Sequence, residues 1–315
     1  MDMSETEKKL RDTWKSIDKG AGGSLRLPVE HPLEWYISYS VDGFRKELAT
    51  ISQKPVQSLE SSKSINAFCN LRKDKRYYIA FQLMEPSQED VFISMCSNMI
   101  VYSSNALTEK EAIKKVVDRY NQWKRLMQKT APGVLSDEMR KGLAGELLHL
   151  KDILKTRTPS EALEGWVGPD GADQDFVYDG AWTEVKATGL SSDKIVIHSL
   201  EQLGRQTDTG TLLVYRIDKC SSYMAESFTL RTLVKDITAM FNNDFDSKEK
   251  FNSKLVEAGY IDMDIYDKYF YKCFACTAYD VDTNFPRITR DSVPSEIGNC
   301  EYSLDLLAID SWKKS

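Results

Sequence analysis

The chain has 315 residues, 41% of them hydrophobic and 29% charged, with a net charge of −6. That balance is globular and long enough for one large domain or two smaller ones. No apolar run reaches the roughly 18–20 residues of a membrane-spanning helix, and the acidic charge excludes a wholly basic surface while leaving room for a local basic groove.

The first residues, Met1-Asp2-Met3-Ser4-Glu5, are acidic and polar and lack the basic-then-apolar layout of a signal peptide, so a cytoplasmic location is expected. Residues 1–130 read as one α+β unit. A helix opens it with Leu10, Trp14 and Ile17 on one face, and strands are predicted over 35–39, 77–84 and 91–95. A closing helix starts at the capping box Thr108 to Glu111 and carries Ile113, Val116, Tyr120 and Trp123 at helical spacing. Residues 128–133 read as a linker.

From residue 131 the pattern predicts a second unit with a compact α/β core, to residue 315, in a chain that is α+β overall. A helix runs from Ser136 to about Lys155, and a Gly/Pro/Asp-rich turn region follows at 165–174. Then come a tight hairpin, a strand at 195–197, a short helix near Ser199 and a strand at 212–215. Two helices (228–242, 247–257) and strands near 268–280 and 302–309 complete it. Cys69, Cys96, Cys220, Cys273, Cys276 and Cys300 are expected to be reduced. Cys273 and Cys276 have zinc-knuckle spacing without a matching second pair, so strand packing is the better reading.

The informative segment runs from Asp175 to Lys186. Asp179-Gly180 between two β-rich runs is a strong signal for a two-residue type I′ turn. Counting outward, Tyr178 pairs with Ala181, Val177 with Trp182, Phe176 with Thr183 and Asp175 with Glu184. Like charges directly opposite are destabilising on a sheet, and a hard cation with oxygen ligands offsets that repulsion. Strand alternation puts Lys186 on the same face as Glu184. Two carboxylates and an ammonium on one patch suit phosphodiester hydrolysis. A solvated, salt-paired strand face is the bland alternative for Glu184 and Lys186.

On the helix from Ser136, Met139, Leu143, Leu147, Leu150 and Leu154 fill one apolar stripe, and Glu146 falls inside it. A carboxylate there needs a structural cation partner or a metal. His149 lies at the stripe's edge and is a weaker candidate.

A helix bearing a glutamate, an Asp-containing strand and Glu184-Val185-Lys186 on its hairpin partner resemble the restriction-endonuclease-like PD-(D/E)XK superfamily. Trp166-Val167-Gly168-Pro169-Asp170-Gly171, Ser199-Leu200-Glu201-Gln202-Leu203, Ala258-Gly259-Tyr260 and Phe285-Pro286-Arg287-Ile288 extend the likeness to a prokaryotic family of PD-(D/E)XK motif proteins over nearly the whole chain. The resemblance implies a restriction-endonuclease-like core, a central mixed sheet flanked by helices. It also implies Mg²⁺-dependent DNA cleavage, with Mn²⁺ as a substitute, in a restriction or phage-defence setting. Asp175, Glu184 and Glu146 would be metal ligands, Lys186 the catalytic lysine and Gln202 a polar neighbour, unless it merely caps its helix. The implied partners are DNA, other defence-operon proteins such as an ATPase, and a second copy of the chain; no membrane partner is implied. Asp170, in the literal Pro-Asp pair, would lie opposite Gly189, well past Glu184, whereas Asp173 would face Lys186 and is the second choice.

Two other readings compete with the nuclease. One is a catalytically silent DNA-binding or scaffolding subunit; the basic cluster Arg72-Lys73-Asp74-Lys75-Arg76 reads more readily as a solvated turn than as a phosphate groove. The other makes residues 1–130 a specificity or partner-docking module. No helix-turn-helix, zinc finger or ATP-binding loop stands in the sequence.

Overall fold

Strand propensity and alternating burial build a sheet from the first part of the chain, and helical stripes cover it. The computed structural model describes residues 3–18, 23–40, 43, 45–56, 59–129, 135–178, 180–204 and 209–314. Residues 1–133 and 134–315 form two compact units. The predicted linker at 128–133 falls mostly on 130–134, outside the described residues.

The first unit begins with α1 (Met3–Ser16), whose Leu10 and Trp14 are buried. Next come β1 (Ser24–Arg26), β2 (Trp35–Tyr39), β3 (Lys46–Ser52), β4 (Ile65–Leu71) and β5 (Tyr77–Leu83). They form an antiparallel sheet in the order β1-β2-β3-β5-β4. Two helices, α2 (Glu89–Ser103) and α3 (Glu109–Lys129), complete the unit. Residues 91–95, expected as a strand, belong to α2. The apolar run continues through Cys96, Met99 and Ile100, all buried, and periodicity cannot separate a strand from a helix that is apolar nearly all round. Thr108 caps α3 by accepting from Glu111 N, but the Glu111 carboxylate takes Leu107 N instead of closing the box.

In the second unit, Ser136 caps α4 (Asp137–Ile153) by accepting from Met139 N. Thr158 and Glu161 cap α5 (Pro159–Gly165), which was not anticipated, with a reciprocal box. The strands are β6 (Phe176–Tyr178), β7 (Ala181–Thr188), β8 (Lys194–Ile197) and β9 (Thr209–Lys219). Helices α6 (Leu230–Met240) and α7 (Phe245–Glu257) and strands β10 (Tyr271–Val281) and β11 (Tyr302–Asp305) follow. The expected strand to residue 309 is shorter because 306–309 form a turn. Near Ser199 the expected helix is replaced by a bend and turn over 200–204, and 205–208 lie outside the described residues.

The central sheet has the order β10-β9-β7-β6, with β7 parallel to β9 and the outer pairs antiparallel. Helix α4 lies on one face. A Cβ on Gly145 would meet Val185 Cγ1 at 3.2 Å, so glycine allows this close approach. Leu143, Leu147, Leu150, Trp166, Phe176 and Val185 share one apolar core there. Met139, placed in the same stripe from spacing, is instead 44% exposed. On the other face Trp182, Leu212 and Val214 pack with Ile195, Ile197 and Leu304 of the β8–β11 ladder. Among the described residues there are seven α-helices and both parallel and antiparallel strand pairs: an α+β chain with a mixed sheet flanked by helices, as the sequence resemblance implies. No described helix is long and apolar enough to cross a membrane.

Candidate active site

The hairpin pairs Tyr178 with Ala181, Val177 with Trp182 and Phe176 with Thr183, the register counted from the sequence. Gly180 has φ +78°, as the turn requires, and its neighbour Asp179 lies outside the described residues. The ladder stops one pair short of Asp175, so the expected direct pairing of Asp175 with Glu184 is not made. The Asp175 carbonyl accepts from Val167 N and Gly168 N (2.9 and 3.0 Å), turning β6 toward the Trp166 loop. The freed carboxylate swings back to β7, where Asp175 Oδ2 accepts from Val185 N at 2.8 Å. A side chain thus takes the hydrogen bond that a longer ladder would have given to a carbonyl.

This early end of β6 leaves an edge of β7 open, and groups from both faces of the sheet gather there. Glu184 is 1% exposed; its Oε1 pairs with Lys186 Nζ at 2.9 Å, and its Oε2 is buried without a hydrogen-bond partner. Lys186 Nζ also donates to Gln202 Oε1 (3.1 Å), which accepts from His198 N as well (2.8 Å). Gln202 therefore touches the lysine from a turn, not from a helix. On the α4 side, Glu146 Oε2 accepts from Trp166 Nε1 at 2.8 Å. A Cβ on Gly168 would lie 2.8 Å from Asp175 Oδ1 and 3.5 Å from Glu146 Oε2, so those two oxygens line one small space.

Burial and crowding raise all three carboxyl groups. Desolvation first, then the Asp175 charge, push Glu184 up to about 8 against the pull of Lys186. Desolvation and Asp175 lift Glu146 well above the carboxylate range, and desolvation raises Asp175 against its bond from Val185 N. Several acids with raised proton affinity beside one lysine mark a site built to receive positive charge.

The alternatives separate cleanly. Asp170 pairs with Lys254 Nζ at 2.6 Å, and Lys254, only 5% exposed, also donates to the Trp166 carbonyl. The literal Pro-Asp dipeptide thus braces the loop that holds Asp175. Asp173 is exposed and acts on Glu184 only through its charge. His149 stands edge-on to Phe176, 4.7 Å between ring centres, and burial lowers its pKa to about 4, so it packs as a neutral ring. The cysteines are free thiols; β10 bulges between Cys273 and Ala275, and Cys276 pairs with Tyr215 of β9.

Trp166, Gly168 and Lys254 were not singled out from sequence as parts of the site. Lys254 carried a usable signal: it sits between Phe251 and Leu255 on a buried helical face, the pattern that exposed Glu146.

A family model described as "Putative PD-(D/E)XK family member, (DUF4420)" matches residues 10–307. The chain belongs to the DUF4420 family. Family membership points to nuclease-like hydrolase chemistry, and PD-(D/E)XK nucleases generally use divalent metals. No curated protein and no solved structure matches this DUF4420 chain. Among its described residues no three His, Cys, Asp or Glu side chains stand as a ready-made cation cage. The donor set nevertheless suits a hard cation: it is all carboxylate oxygen, and one of those oxygens, Glu184 Oε2, is buried and unpartnered.

Proposed function

We propose that the chain is a Mg²⁺-dependent DNA endonuclease that hydrolyses phosphodiester bonds, with Mn²⁺ able to substitute. The observation that carries this reading is the buried Glu184, one oxygen on Lys186 and the other unpartnered, at an edge shared with Asp175 and Glu146. Asp175 and Glu184 would hold the cation, with Glu146 beside them. When bound, the cation polarises the phosphate and eases deprotonation of water. The chain does the rest. Lys186, fixed between Glu184 and Gln202, donates to the phosphate oxygen on which charge grows. Glu146, held by Trp166 Nε1, would take the proton of the attacking water once cation binding has displaced its own. Water oxygen bonds to phosphorus, and the leaving oxygen departs and is protonated from solvent. A place in restriction or phage defence rests on the sequence resemblance alone.

The test is cleavage of plasmid, linear, modified and single-stranded DNA with Mg²⁺, Mn²⁺ or EDTA. Cutting that needs the cation supports the reading; no cutting of any substrate opposes it. A second reading is a silent DNA-binding or scaffolding subunit, since among the described residues no three His, Cys, Asp or Glu side chains stand ready to hold a cation. Calorimetry separates them, because that subunit would bind neither Mg²⁺ nor Mn²⁺ with or without DNA.

Two substitutions probe the assignments. Asp175→Asn should cut about 10²-fold more slowly or worse, whereas Asp170→Asn should stay within about threefold of wild type, since it keeps a partner for Lys254 outside the chemistry. Equal losses in both would return the motif role to Asp170. Gly168→Ala would drive a methyl to 2.8 Å from Asp175 Oδ1 and 3.2 Å from its Cα. We expect about 10²-fold slower cleavage from a displaced carboxylate and roughly 1–3 kcal/mol lost in denaturant melts. Wild-type rates would mean that the Asp175 position does not matter.

A further inference from the structure

The sheet of residues 1–133 is covered by helices on one face. Phe81 meets Tyr120 of α3 at 4.9 Å between ring centres, Lys46 lies over Trp14 of α1, and Trp35 meets His31, whose ring contacts the Ile100 carbonyl of α2. Strand alternation sends Tyr36, Phe68 and Tyr78 to the other face. Register places Tyr36 opposite Ala49, Ala49 opposite Ala80 and Ala80 opposite Phe68, so one row across the strands reads aromatic, alanine, alanine, aromatic. The next row reads Ser38, Glu47, Gln82, Asn66.

Tyr78 joins the two rows. Its hydroxyl donates to Glu47 Oε1 at 2.5 Å, although Glu47 pairs with Gln82, beyond the alanine row. The tyrosine ring must therefore lie across Ala49 and Ala80, and both are fully buried although they point away from the helix contacts described above. Glu47, itself 6% exposed, also accepts from Ser38 Oγ (3.0 Å) and Gln82 Nε2 (2.5 Å), and Asn66 Nδ2 donates to Gln82 Oε1 (3.0 Å). A buried carboxylate with its lone pairs used in this way fixes the ring instead of leaving it to swing. Phe68 stands 6.4 Å from Tyr78 between ring centres. At the end of β4 and β5, the turn holds Arg72, Lys73, Lys75 and Arg76 around Asp74, whose carboxylate pairs with Arg72 Nε (3.3 Å) and Arg76 Nη2 (2.9 Å), so the turn keeps a net positive charge. Arg76 is close enough for its charge to act on Tyr36, and Arg72 on Tyr78.

We propose that this face binds single-stranded nucleic acid, with unpaired bases stacking on Tyr78, Phe68 and Tyr36 and the phosphates following the Arg72–Arg76 turn. Aromatic rings on a sheet face meet base faces only where the strand is unpaired, and Phe68 and Tyr78 offer two such rings tilted by 41° to one another. The neighbouring Asn66 and Gln82 amides can address base edges, and the basic turn complements a polyanion. A protein strand would instead seek a free sheet edge. The binding does not depend on cleavage, so the two readings can fail separately.

The test uses the full-length protein in EDTA, with fluorescence anisotropy of a labelled mixed-sequence DNA single strand of about 15 nucleotides and the matching duplex. We expect tighter binding to the single strand. Phe68→Leu and Tyr36→Leu should each weaken it about tenfold, and Arg72→Gln with Arg76→Gln should lower the slope of log affinity against log salt by about 1–2. Tyr78→Phe, which keeps the ring but frees it from Glu47, should weaken binding less than Phe68→Leu. Thermal melts of each variant confirm folding. No binding, tighter binding to duplex, or unchanged affinity in the folded leucine variants would overturn the proposal.

Discussion

Replacing Lys186 with alanine is expected to slow cation-dependent DNA cleavage by about 10²–10³-fold, the usual cost of losing one fixed donor at a developing charge. The lysine has no slack. Its ammonium is tied to Glu184 Oε1 at 2.9 Å and Gln202 Oε1 at 3.1 Å, and Gln202 is itself held by His198 N. The variant should still fold, because Glu184 already has a pKa of about 8 and can escape an unpaired buried charge by keeping its proton. Lys186→Arg should not restore the rate, since a planar fork does not replace a compact ammonium here. Gln202→Ala, which removes only the second anchor, should lose less than Lys186→Ala. Single-turnover rates and melting curves read all three; Lys186→Ala protein that cuts at the wild-type rate would remove the lysine from the chemistry.

Raising the pH should destabilise the metal-free protein, and Mg²⁺ should rescue it. Glu184 moves from an ordinary 4.5 to about 8 in the folded chain, and Glu146 and Asp175 shift upward too. A carboxyl group whose folded pKa is raised binds its proton more tightly folded than unfolded. Its contribution is therefore complete below about pH 4.5 and disappears as pH rises through about 8. Melting temperature without metal should fall from pH 6 to pH 9 by roughly 5 °C or more, as a few kcal/mol would produce in a chain of this size. Cation binding must displace these protons, so Mg²⁺ should raise the melting temperature more at pH 9 than at pH 6. Glu184→Gln should flatten the metal-free profile, melt higher than wild type at pH 9, and respond little to Mg²⁺. An Mg²⁺ shift that is the same at both pH values and survives Glu184→Gln would place the cation elsewhere.

Local signals explain what could be read without coordinates. The turn at Gly180 and the alternation of β7 set the pairing of Phe176 with Thr183 and put Glu184 and Lys186 on one face. Helical spacing marked Glu146 as an acid among leucines, and the Ser136 cap marked where its helix starts. Local signals failed where burial came from every side. Residues 91–95 look the same as a buried strand and a buried helix, and Met139 fits the stripe by angle yet lies exposed in the first turn of α4.

The sequence by itself determined the hairpin register, the face shared by Glu184 and Lys186, and the helical position of Glu146, because turn chemistry and side-chain periodicity act over a few residues. Only the tertiary structure decided that β6 begins no earlier than Phe176, that Asp175 serves Val185 N instead of facing Glu184, and that Trp166 reaches Glu146. They go with long-range contacts such as that of Lys254 with Asp170, 84 residues apart, in the loop whose Val167 N and Gly168 N donate to the Asp175 carbonyl. Contacts between residues so far apart are set by how the layers pack, and no local pattern carries them.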